Sequence, residues 1–394
     1  MKSLTLKNIG PITQANINFG DLTVFVGGQA MGKSITMEMV KLIEDAGYIR
    51  FRMEDFGLDC SKPEKLFSNY FGAGKDKIWA EGKSEITWDG KKITRREIFA
   101  KNRVRAMKTF YIPAQRVVVI DKGWPTPFQS FDSMYPFVTR EFSEIIRTFM
   151  DMSFSKEEGK IFPQDNRLRK ELREGIEETI FRNQTIHLKA NEQNRKMVML
   201  KTGNDIELPI TTWSTGQREF IPLLAGIYYC LPPARVSQKN KITRVIIEEM
   251  EMGLHPSAII SVMLLVMELL NRDYQVILST HSPTVLDLVW ALVEMQTNKA
   301  DTKYFKKLFN LSGTSNYPND LAREIMKKVI RVNYFKETPE GVSTVDISKL
   351  DPGSDSPDEW GWGGLSEFSG KIADIVGAVQ TSNKDKHTDK GSDF

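Results

Sequence analysis

Three short apolar runs stand out from the polar residues around them. They are residues 22–26 (LTVFV), residues 243–249 (TRVIIEE) and residues 275–283 (QVILSTHSP). Runs of this length, rich in β-branched residues, are typical of strands that are buried on both faces of a parallel sheet. The pattern therefore predicts three core strands, which lead into a glycine-rich segment, a group of glutamates and a histidine.

Apolar residues recur at helical spacing between and after these runs. Residues 35–47 (ITMEMVKLIEDAG) predict a helix, and residues 258–270 (AIISVMLLVMELL) are apolar almost all round, which indicates a deeply buried helix. Two weaker patterns within residues 121–185 predict a helical insertion or short arm. Their apolar positions are Phe142, Ile145, Ile146 and Phe149, then Leu168, Leu172, Ile176 and Ile180.

Strand-like segments lie on either side of this helical part. The N-terminus (MKSLTLKNIGPI) predicts a strand, residues 78–95 a hairpin and residues 186–210 a second hairpin. Residues 332–351 (VNYFKETPEGVSTVDISKLD) predict a small hairpin at a sheet edge. The last fifteen residues, 380–394, are polar and predict a disordered tail. The alternation of strands and helices favours an α/β fold.

Composition narrows the class of protein without identifying it. Of 394 residues, 40% are hydrophobic and 27% are charged, as in ordinary soluble proteins, and the formal net charge of +3 neither requires nor excludes nucleic acid. No run of ~18 apolar residues predicts a membrane span. Cys60 and Cys230 lie far apart without metal-ligand spacing. We expect a cytoplasmic protein with reduced thiols and no membrane partner.

The segment after the first apolar run carries the most specific pattern in the chain. Gly27 is followed after four residues by Gly32, Lys33 and Ser34, which is the phosphate-binding P-loop pattern. Its glycines let backbone N–H groups surround phosphate oxygens, and the next helix begins with an N-terminus that favours anions. We expect Lys33, on a solvent-accessible loop, to contact the β- and γ-phosphates and Ser34 to bind Mg²⁺.

Carboxylates follow the second run. Three of the four residues 248–251 are glutamates, namely Glu248, Glu249 and Glu251. Carboxylates this close repel one another unless a cation compensates them. A solvated helix start explains acids in general, but not the Val-Ile-Ile run before these. Because ligands of α/β sheets bind at the carboxyl ends of strands, a Mg²⁺–nucleotide site is predicted here. Side chains alternate along a strand, so Glu248 and Glu249 are expected to point to different places.

The order of the motifs resembles the ABC-type P-loop ATPases of the SMC/RecF/OLD-like branch. The likeness is strongest in residues 1–40 and 205–290, and it implies a mixed sheet with an N-terminal antiparallel β lobe and a helical insertion. The implied ATPase core is residues 1–120 and 186–379, and the insertion is residues 121–185. About 180 residues separate Lys33 from Ser214, and residues 253–256 read GLHP, which both disfavour a transporter subunit.

The resemblance assigns roles to particular residues. Glu248 stands at the Walker B position, Glu249 at the catalytic glutamate and His281 at the switch histidine, while Gln115 is a candidate Mg²⁺ contact or a plain turn after a strand. Residues 213–217 (WSTGQ) match the signature, although Trp213 and Thr215 depart from its usual form. The implied nucleotide contacts are Gly27, Gly28, Gln29, Ala30, Met31, Gly32, Lys33, Ser34 and Ile35, with Ser214, Thr215, Gly216 and Gln217.

Such sites are composite, because the signature of one protomer closes over the γ-phosphate of another. The resemblance therefore implies a dimer or larger homo-oligomer, with Glu251 outside the site, at the loop after the strand or against the neighbouring subunit. Residues 284–394 contain no Asp-x-Asp pair, so no nuclease is predicted in this chain and an effector, a nuclease among the candidates, is expected on a separate polypeptide.

By analogy with this family, the resemblance implies an ATPase that controls a separate effector in a bacterial anti-phage defence system. The first alternative is a RecF-like DNA repair or recombination ATPase. The basic segment 91–108 (KKITRREIFAKNRVRAMK) supports it, because phosphate binding needs such a density of charge, but a solvated surface explains the segment as well. A nucleotide-binding subunit of a transporter is the least favoured interpretation.

Overall fold

The structure, a computed structural model, describes most of the chain. The described residues are 2–99, 104–120, 122–154, 159–190, 195–233, 241–312, 315–351, 353–362, 364–365, 371–372 and 375–376. The predicted tail at 380–394 lies outside them, as do residues 100–103 of the basic segment.

The elements alternate along the chain as in an α/β protein. The strands are β1 (Ser3–Ile9), β2 (Ile12–Asn18), β3 (Leu22–Gly27), β4 (Glu85–Trp88), β5 (Lys91–Ile93), β6 (Thr109–Ile112), β7 (Lys160–Phe162), β8 (Thr185–Ala190), β9 (Lys196–Lys201), β10 (Glu207–Pro209), β11 (Arg244–Glu248), β12 (Gln275–Ser279), β13 (Ile330–Thr338) and β14 (Gly341–Asp346). The helices are α1 (Lys33–Asp55), α2 (Pro63–Phe71), α3 (Arg95–Ile98), α4 (Phe137–Phe154), α5 (Lys170–Ile176), α6 (Thr215–Cys230), α7 (Pro256–Asn271), α8 (Pro283–Thr297), α9 (Thr302–Leu308), α10 (Tyr317–Ile325) and α11 (Pro357–Trp360).

Within the described residues, ten strands form one mixed sheet in the order β5-β4-β1-β2-β14-β13-β3-β12-β11-β6. The three predicted core strands are β3, β11 and β12, and they pair in parallel with one another and with β6. Every residue of β3 and β11 is buried, as their continuous apolar sequences require. Because Glu248 is paired with Ser279 and Ser279 with Phe25, the strands end at the same level. The residues that follow them are thereby brought together.

The N-terminal lobe is antiparallel, as predicted. β1 pairs with β2 and β4, and β4 pairs with β5, which accounts for the hairpin expected at residues 78–95. The described helices include none that is both long and apolar enough to cross a membrane.

The prediction of a C-terminal edge hairpin is wrong. β13 and β14 do form a hairpin, but β13 pairs in parallel with β3 and β14 pairs in parallel with β2. The hairpin therefore lies in the middle of the sheet and joins the N-terminal lobe to the core strands. Its partners are more than 300 residues away in sequence, so the local pattern holds no signal for them. Val332 and Phe335, which are fully buried, are the residues that this position requires to be apolar.

Residues 121–185 are not wholly helical. The predicted first helix is α4, which packs on β6 and α6 with Phe142 and Ile146 buried. The second is shorter than predicted, since α5 is followed by one π-helical turn, Glu177–Phe181. β7 pairs with β8, and β8, β9 and β10 extend this contact into a separate antiparallel sheet. The boundaries at residues 120 and 186 remain predictions.

Buried charges fix α1 against the strands that it crosses. The Glu44 carboxylate accepts a hydrogen bond from Thr109 and pairs with Arg244 at 2.6 Å and with Lys2 at 2.6 Å. The next residue, Asp45, accepts hydrogen bonds from the backbone N–H groups of Lys108 and Thr109 and pairs with Lys41 at 3.1 Å. Both of these buried acids therefore have partners. The N-terminus of α1 is held in a fixed place over the sheet.

Candidate nucleotide-binding site

The loop between β3 and α1 has a conformation that only its glycines permit. Gly27 and Gly32 have φ angles of 136° and 82°, in the left-handed region that favours glycine. A Cβ atom on Gly27 would lie 2.5 Å from the carbonyl oxygen of Phe335, and one on Gly32 would lie 2.7 Å from Ile12. Gly28, Gln29, Ala30 and Ser34 are exposed on the outer face of this loop. The P-loop pattern therefore forms a tight turn at the start of a long helix.

Lys33 lies inside this turn. Its Nζ atom donates hydrogen bonds to the carbonyl oxygens of Gly27 at 2.8 Å and Gly28 at 2.7 Å, and the residue is only 5% exposed. The prediction that Lys33 lies on a solvent-accessible loop is therefore wrong. Burial lowers the pKa of its amine to about 8, and the carboxylates of Glu249, Glu251 and Glu248 oppose this shift. Lys33 is the cation nearest to the predicted phosphate position.

Glu248 is the last residue of β11 and lies beside the P-loop. It is 7% exposed, its Oε2 atom accepts a hydrogen bond from the backbone N–H of Ala114 at 3.0 Å, and its Oε1 atom has no partner among the described residues. Burial raises the pKa of this carboxyl, whereas the neighbouring Ser34 hydroxyl, the Ala114 N–H and the Tyr111 hydroxyl act to lower it. The structure thus brings Ser34 and Glu248 together, as predicted for a metal site.

Glu249 and His281 meet at the rim of the site. Glu249 has a left-handed φ of 42°, so the strand ends before it. Its side chain therefore does not follow the alternation of the strand and points in a different direction from that of Glu248. Its side chain is 32% exposed, and its Oε1 atom lies 3.5 Å from His281 Nε2. Burial and the charge of Lys33 lower the pKa of His281, while Glu249 and Glu251 oppose the shift. A carboxylate and an imidazole therefore face the same opening near Lys33.

The prediction for Glu251 is wrong. Its Oε1 atom accepts hydrogen bonds from the Thr280 hydroxyl at 2.8 Å and from the backbone N–H of His281 at 2.7 Å. Glu251 therefore fixes the loop that carries His281, within the same chain, rather than the loop after β11 or a neighbouring subunit. The reason is that β11 and β12 are adjacent, so residues just past their ends are within reach of each other.

Arg116 is a residue that the sequence interpretation passed over, although it follows Gln115 directly. It is fully buried, and its guanidinium donates to the backbone carbonyls of Pro113 at 3.2 Å, Glu248 at 2.6 Å and Glu249 at 3.0 Å. Its Nε atom lies 4.0 Å from the Glu219 carboxylate of α6. The sequence does hold one signal for its burial, because Arg116 directly precedes an apolar stretch (VVVI). Arg116 holds the turn that presents Glu249.

Gln115 lies with Ser34, Glu248 and Glu249 in the lining of one cavity of about 570 Å³. Ser214 and Gln217 do not line it. They form a reciprocal cap at the start of α6, in which the Gln217 N–H donates to Ser214 Oγ at 3.4 Å and the Ser214 N–H donates to Gln217 Oε1 at 3.3 Å. Thr215 and Gly216 pack against Gly253, in the loop after β11. The signature residues therefore lie outside the cavity that Ser34 and Glu248 line.

The residues in the cavity fit a hydrated magnesium ion. Among the described residues, no three His, Cys, Asp or Glu side chains converge as a complete metal cage. Mg²⁺ does not need one, because it keeps several waters and binds through one or two carboxylates together with substrate phosphates. The unpartnered Glu248 Oε1 atom, beside the Ser34 hydroxyl, is a free hard-oxygen donor of the required kind.

Part of the positive charge of the basic segment is paired with acids where the segment is described. Lys91 pairs with Glu97, Lys92 with Glu85, and Arg95 with both Glu64 and Glu81. The guanidinium of Arg105 lies over the ring of Phe51. Arg103 lies outside the described residues. Paired cations contribute less to phosphate binding, and direct DNA binding by this segment remains a prediction.

Comparison with solved structures finds distant likenesses. One is an SMC head bound to the C-winged helix domain of ScpA, with 12% identity over 87% of this chain and 96% of that chain and a TM-score of 0.44. A second is an SMC head domain from Thermotoga maritima, with 10% identity over 87% and 97% of the two chains and a TM-score of 0.37. A third is a dimeric ATP-binding cassette in a post-hydrolysis state with ADP and Pi, with 12% identity over 72% and 89% and a TM-score of 0.30.

Comparison at the level of sequence identifies the family. Curated proteins include no match. Residues 55–287 match the model of the family described as "AAA domain, putative AbiEii toxin, Type IV TA system". The matched segment begins after the P-loop and contains Gln115, Ser214, Glu248, Glu249 and His281. The match confirms the expectation of an AAA-type ATPase domain. Because the match extends over more than half of the chain, this protein belongs to that family of AAA-type ATPase domains.

Proposed function

We propose that this protein binds ATP with Mg²⁺ and hydrolyses it to ADP and phosphate. One observation carries the proposal: Lys33 and Ser34 lie at the N-terminus of α1, directly beside Glu248, with Glu249 and His281 at the same opening. Phosphoryl transfer to water needs charge neutralisation, alignment and one positioned base. This group of side chains contains a candidate for each requirement.

Each residue has a separate task in the proposed mechanism. The backbone of residues 27–35 surrounds the phosphates, and the Lys33 amine exchanges its loop carbonyls for β- and γ-phosphate oxygens. Ser34, Gln115 and Glu248 would hold Mg²⁺, which supplies positive charge next to the phosphates. Glu249 orients the attacking water and accepts its proton, and His281 donates a hydrogen bond on the γ-phosphate side.

The direct test is phosphate release by the purified chain. We expect Mg²⁺-dependent hydrolysis of ATP that EDTA abolishes. Absence of nucleotide binding in a titration calorimeter, with the protein folded by circular dichroism, would refute the proposal.

The site is proposed to be completed by a second copy of the chain. Ser214 lies at the positive N-terminus of α6, where it can face a γ-phosphate, yet it does not line the cavity that Ser34 and Glu248 of its own chain line. A signature supplied by another protomer resolves this separation. Hydrolysis would then require at least a dimer, formed when ATP is bound.

Substitution of Ser214 tests this arrangement. Ser214→Arg is expected to leave ATP binding within about twofold while lowering hydrolysis at least ~10-fold, because the larger side chain occupies the partner's phosphate site. Equimolar mixing with Lys33→Ala protomers should restore part of the activity, since each mixed dimer keeps one intact composite site. Full activity of Ser214→Arg alone would mean that residues 213–217 act only as a helix cap.

Arg116 is proposed to position Glu249 rather than to contact ATP. Arg116→Lys keeps the charge but cannot reach three carbonyls at once, so the turn at Glu249 loosens. We expect kcat to fall ~10-fold or more while KM for ATP stays within about twofold. Arg167→Lys, which alters an arginine packed over aromatic rings, is the matched control and should leave both constants unchanged. An equal rise in KM for Arg116→Lys would instead indicate a role in nucleotide binding.

We infer a cytoplasmic role in which the ATPase controls a separate effector protein in a bacterial defence system. The family description, which refers to a toxin of a type IV toxin–antitoxin system, supports a place in defence. Plaque assays with the gene and its neighbours, comparing the natural chain with Lys33→Ala, test this role. Equal protection by both chains would exclude an ATP-dependent contribution.

A further inference from the structure

A second buried carboxylate has an oxygen without a hydrogen-bond partner among the described residues. Glu38 lies on α1, one helical turn after Ser34, and is 4% exposed. Its Oε2 atom has no hydrogen-bond partner among the described residues, and within them its carboxylate forms no ion pair. The other buried acids of α1, Glu44 and Asp45, have such partners. Burial of an uncompensated carboxylate is unfavourable, so its retention needs a reason.

Glu38 faces the cavity that contains the predicted metal ligands. The cavity is lined by Ser34, Glu38, Gln115 and Glu248, among other residues. Residues four apart on a helix project from the same face, which places Glu38 directly after Ser34 in this lining. Glu248 Oε1 is the other buried carboxylate oxygen here without a partner. Each of these two carboxylates therefore has one oxygen without a hydrogen-bond partner among the described residues, and both residues line the same cavity.

The protein does not itself supply the charge that these carboxylates require. Burial raises the pKa of Glu38 to about 8, and the nearby Glu248 carboxylate adds to this shift, so the charged form of Glu38 is disfavoured unless a cation compensates it. Lys75 also lines the cavity and attracts Glu38, but it is exposed and lies beyond ion-pair distance. Carboxylates, a hydroxyl and an amide oxygen are the hard donors that Mg²⁺ prefers. A hydrated divalent cation would supply the missing positive charge and could be bound by all of these oxygen donors.

We propose that Glu38 is part of the Mg²⁺ site, where its carboxylate binds the hydrated ion beside Ser34 and Glu248. The inference deepens the proposed function and depends on it for the identity of the nucleotide. It makes one further statement of its own. Because two carboxylates and a hydroxyl belong to the chain, the site binds a divalent cation before any nucleotide is present.

The test measures the metal directly. Mn²⁺ binding is followed by electron paramagnetic resonance in the full-length protein, without nucleotide and with a non-hydrolysable ATP analogue. We expect Glu38→Gln to raise the Mn²⁺ concentration at half-saturation ~10-fold in both conditions, as for loss of a metal-supporting partner. Glu54→Gln removes the same charge from the same helix, at an exposed site where Glu54 pairs with Arg50, and should leave this concentration unchanged.

Thermal denaturation in EDTA separates a metal role from a structural one. Glu38 has no protein partner to lose, so Glu38→Gln should not lower Tm when metal is absent, and the rise in Tm on adding Mn²⁺ should shrink. A lower Tm in EDTA with unchanged Mn²⁺ binding would overturn the proposal. It would also be overturned if the natural chain bound no Mn²⁺ without nucleotide.

The outcomes distinguish this inference from the proposed function. If ATP binding depends on Lys33 but Glu38→Gln binds Mn²⁺ like the natural chain, only the role of Glu38 fails. If Mn²⁺ binding depends on Glu38 while no ATP binds at any metal concentration, the metal site is supported and the ATPase proposal fails.

Discussion

Glu249→Gln is expected to lower the rate of ATP hydrolysis by ~10²-fold or more while ATP and Mg²⁺ still bind. Glutamine has the same shape as glutamate but cannot accept the proton of the attacking water. The side chain of Glu249 is about one-third exposed at the opening of the site, and its Oε1 atom lies 3.5 Å from His281 Nε2. The substitution therefore removes little packing. With hydrolysis blocked, the ATP-bound oligomer should accumulate, which gel filtration with light scattering would detect.

The neighbouring glutamates provide the comparison. Glu248→Gln should weaken Mg²⁺-dependent binding, because the buried Oε1 atom beside Ser34 is the proposed ligand. In Glu251→Gln the amide oxygen can still accept the His281 N–H, so we expect a reduction of only a few-fold. If Glu251→Gln were inactive and trapped with ATP while Glu249→Gln turned over normally, the roles assigned after β11 would be in the wrong register.

Lys33→Ala is expected to reduce ATP affinity below detection in a calorimeter. The Lys33 amine donates only to the carbonyls of Gly27 and Gly28, so its loss removes the phosphate-binding charge without breaking contacts elsewhere. Because the residue is buried, Lys33→Met is the better control for packing, since it keeps the aliphatic stem. Both variants should lose ATP binding, and Lys33→Met should keep the Tm of the natural chain within a few degrees.

The pH dependence gives an independent check on Lys33. Its pKa is lowered to about 8 by burial, so the amine carries its charge below pH 8 and loses it above. ATP affinity of the natural chain should therefore be highest below pH 8 and fall as the pH is raised towards 9. The phosphates of ATP are already ionised in this range. Affinity that is constant from pH 7 to 9 would contradict the placement of Lys33 against the phosphates.

The sequence predicts the parts of the site whose residues are neighbours along the chain. The P-loop, the run that ends in Glu248 and the run that ends before His281 each combine a buried strand with the group that follows it. Arg116, Glu251 and Glu38 were missed or misplaced because their meaning depends on partners in other strands. Arg116, for example, bonds to carbonyls more than 130 residues later. No local pattern records such contacts.

The C-terminal hairpin was misplaced for the same reason. Its alternating sequence predicts two paired strands, and that much is correct. Which strands lie beside them depends on how the whole chain closes, and the sequence at residues 330–346 is compatible with either an edge or a central position. The buried Phe335, whose carbonyl lies against Gly27, distinguishes the two only after folding.

This central hairpin has a consequence for the order of events on the ribosome. The strand that carries the P-loop is synthesised long before its two neighbours in the sheet, β12 and β13. The nascent apolar segment LTVFVG therefore has both edges open until β12 has left the exit tunnel, and one edge open until residue 338 has left it. Unpaired strand edges are prone to aggregate, so this interval is when the chain most needs a chaperone. A product of premature termination before residue 330 would hold the P-loop sequence but not its folded cradle.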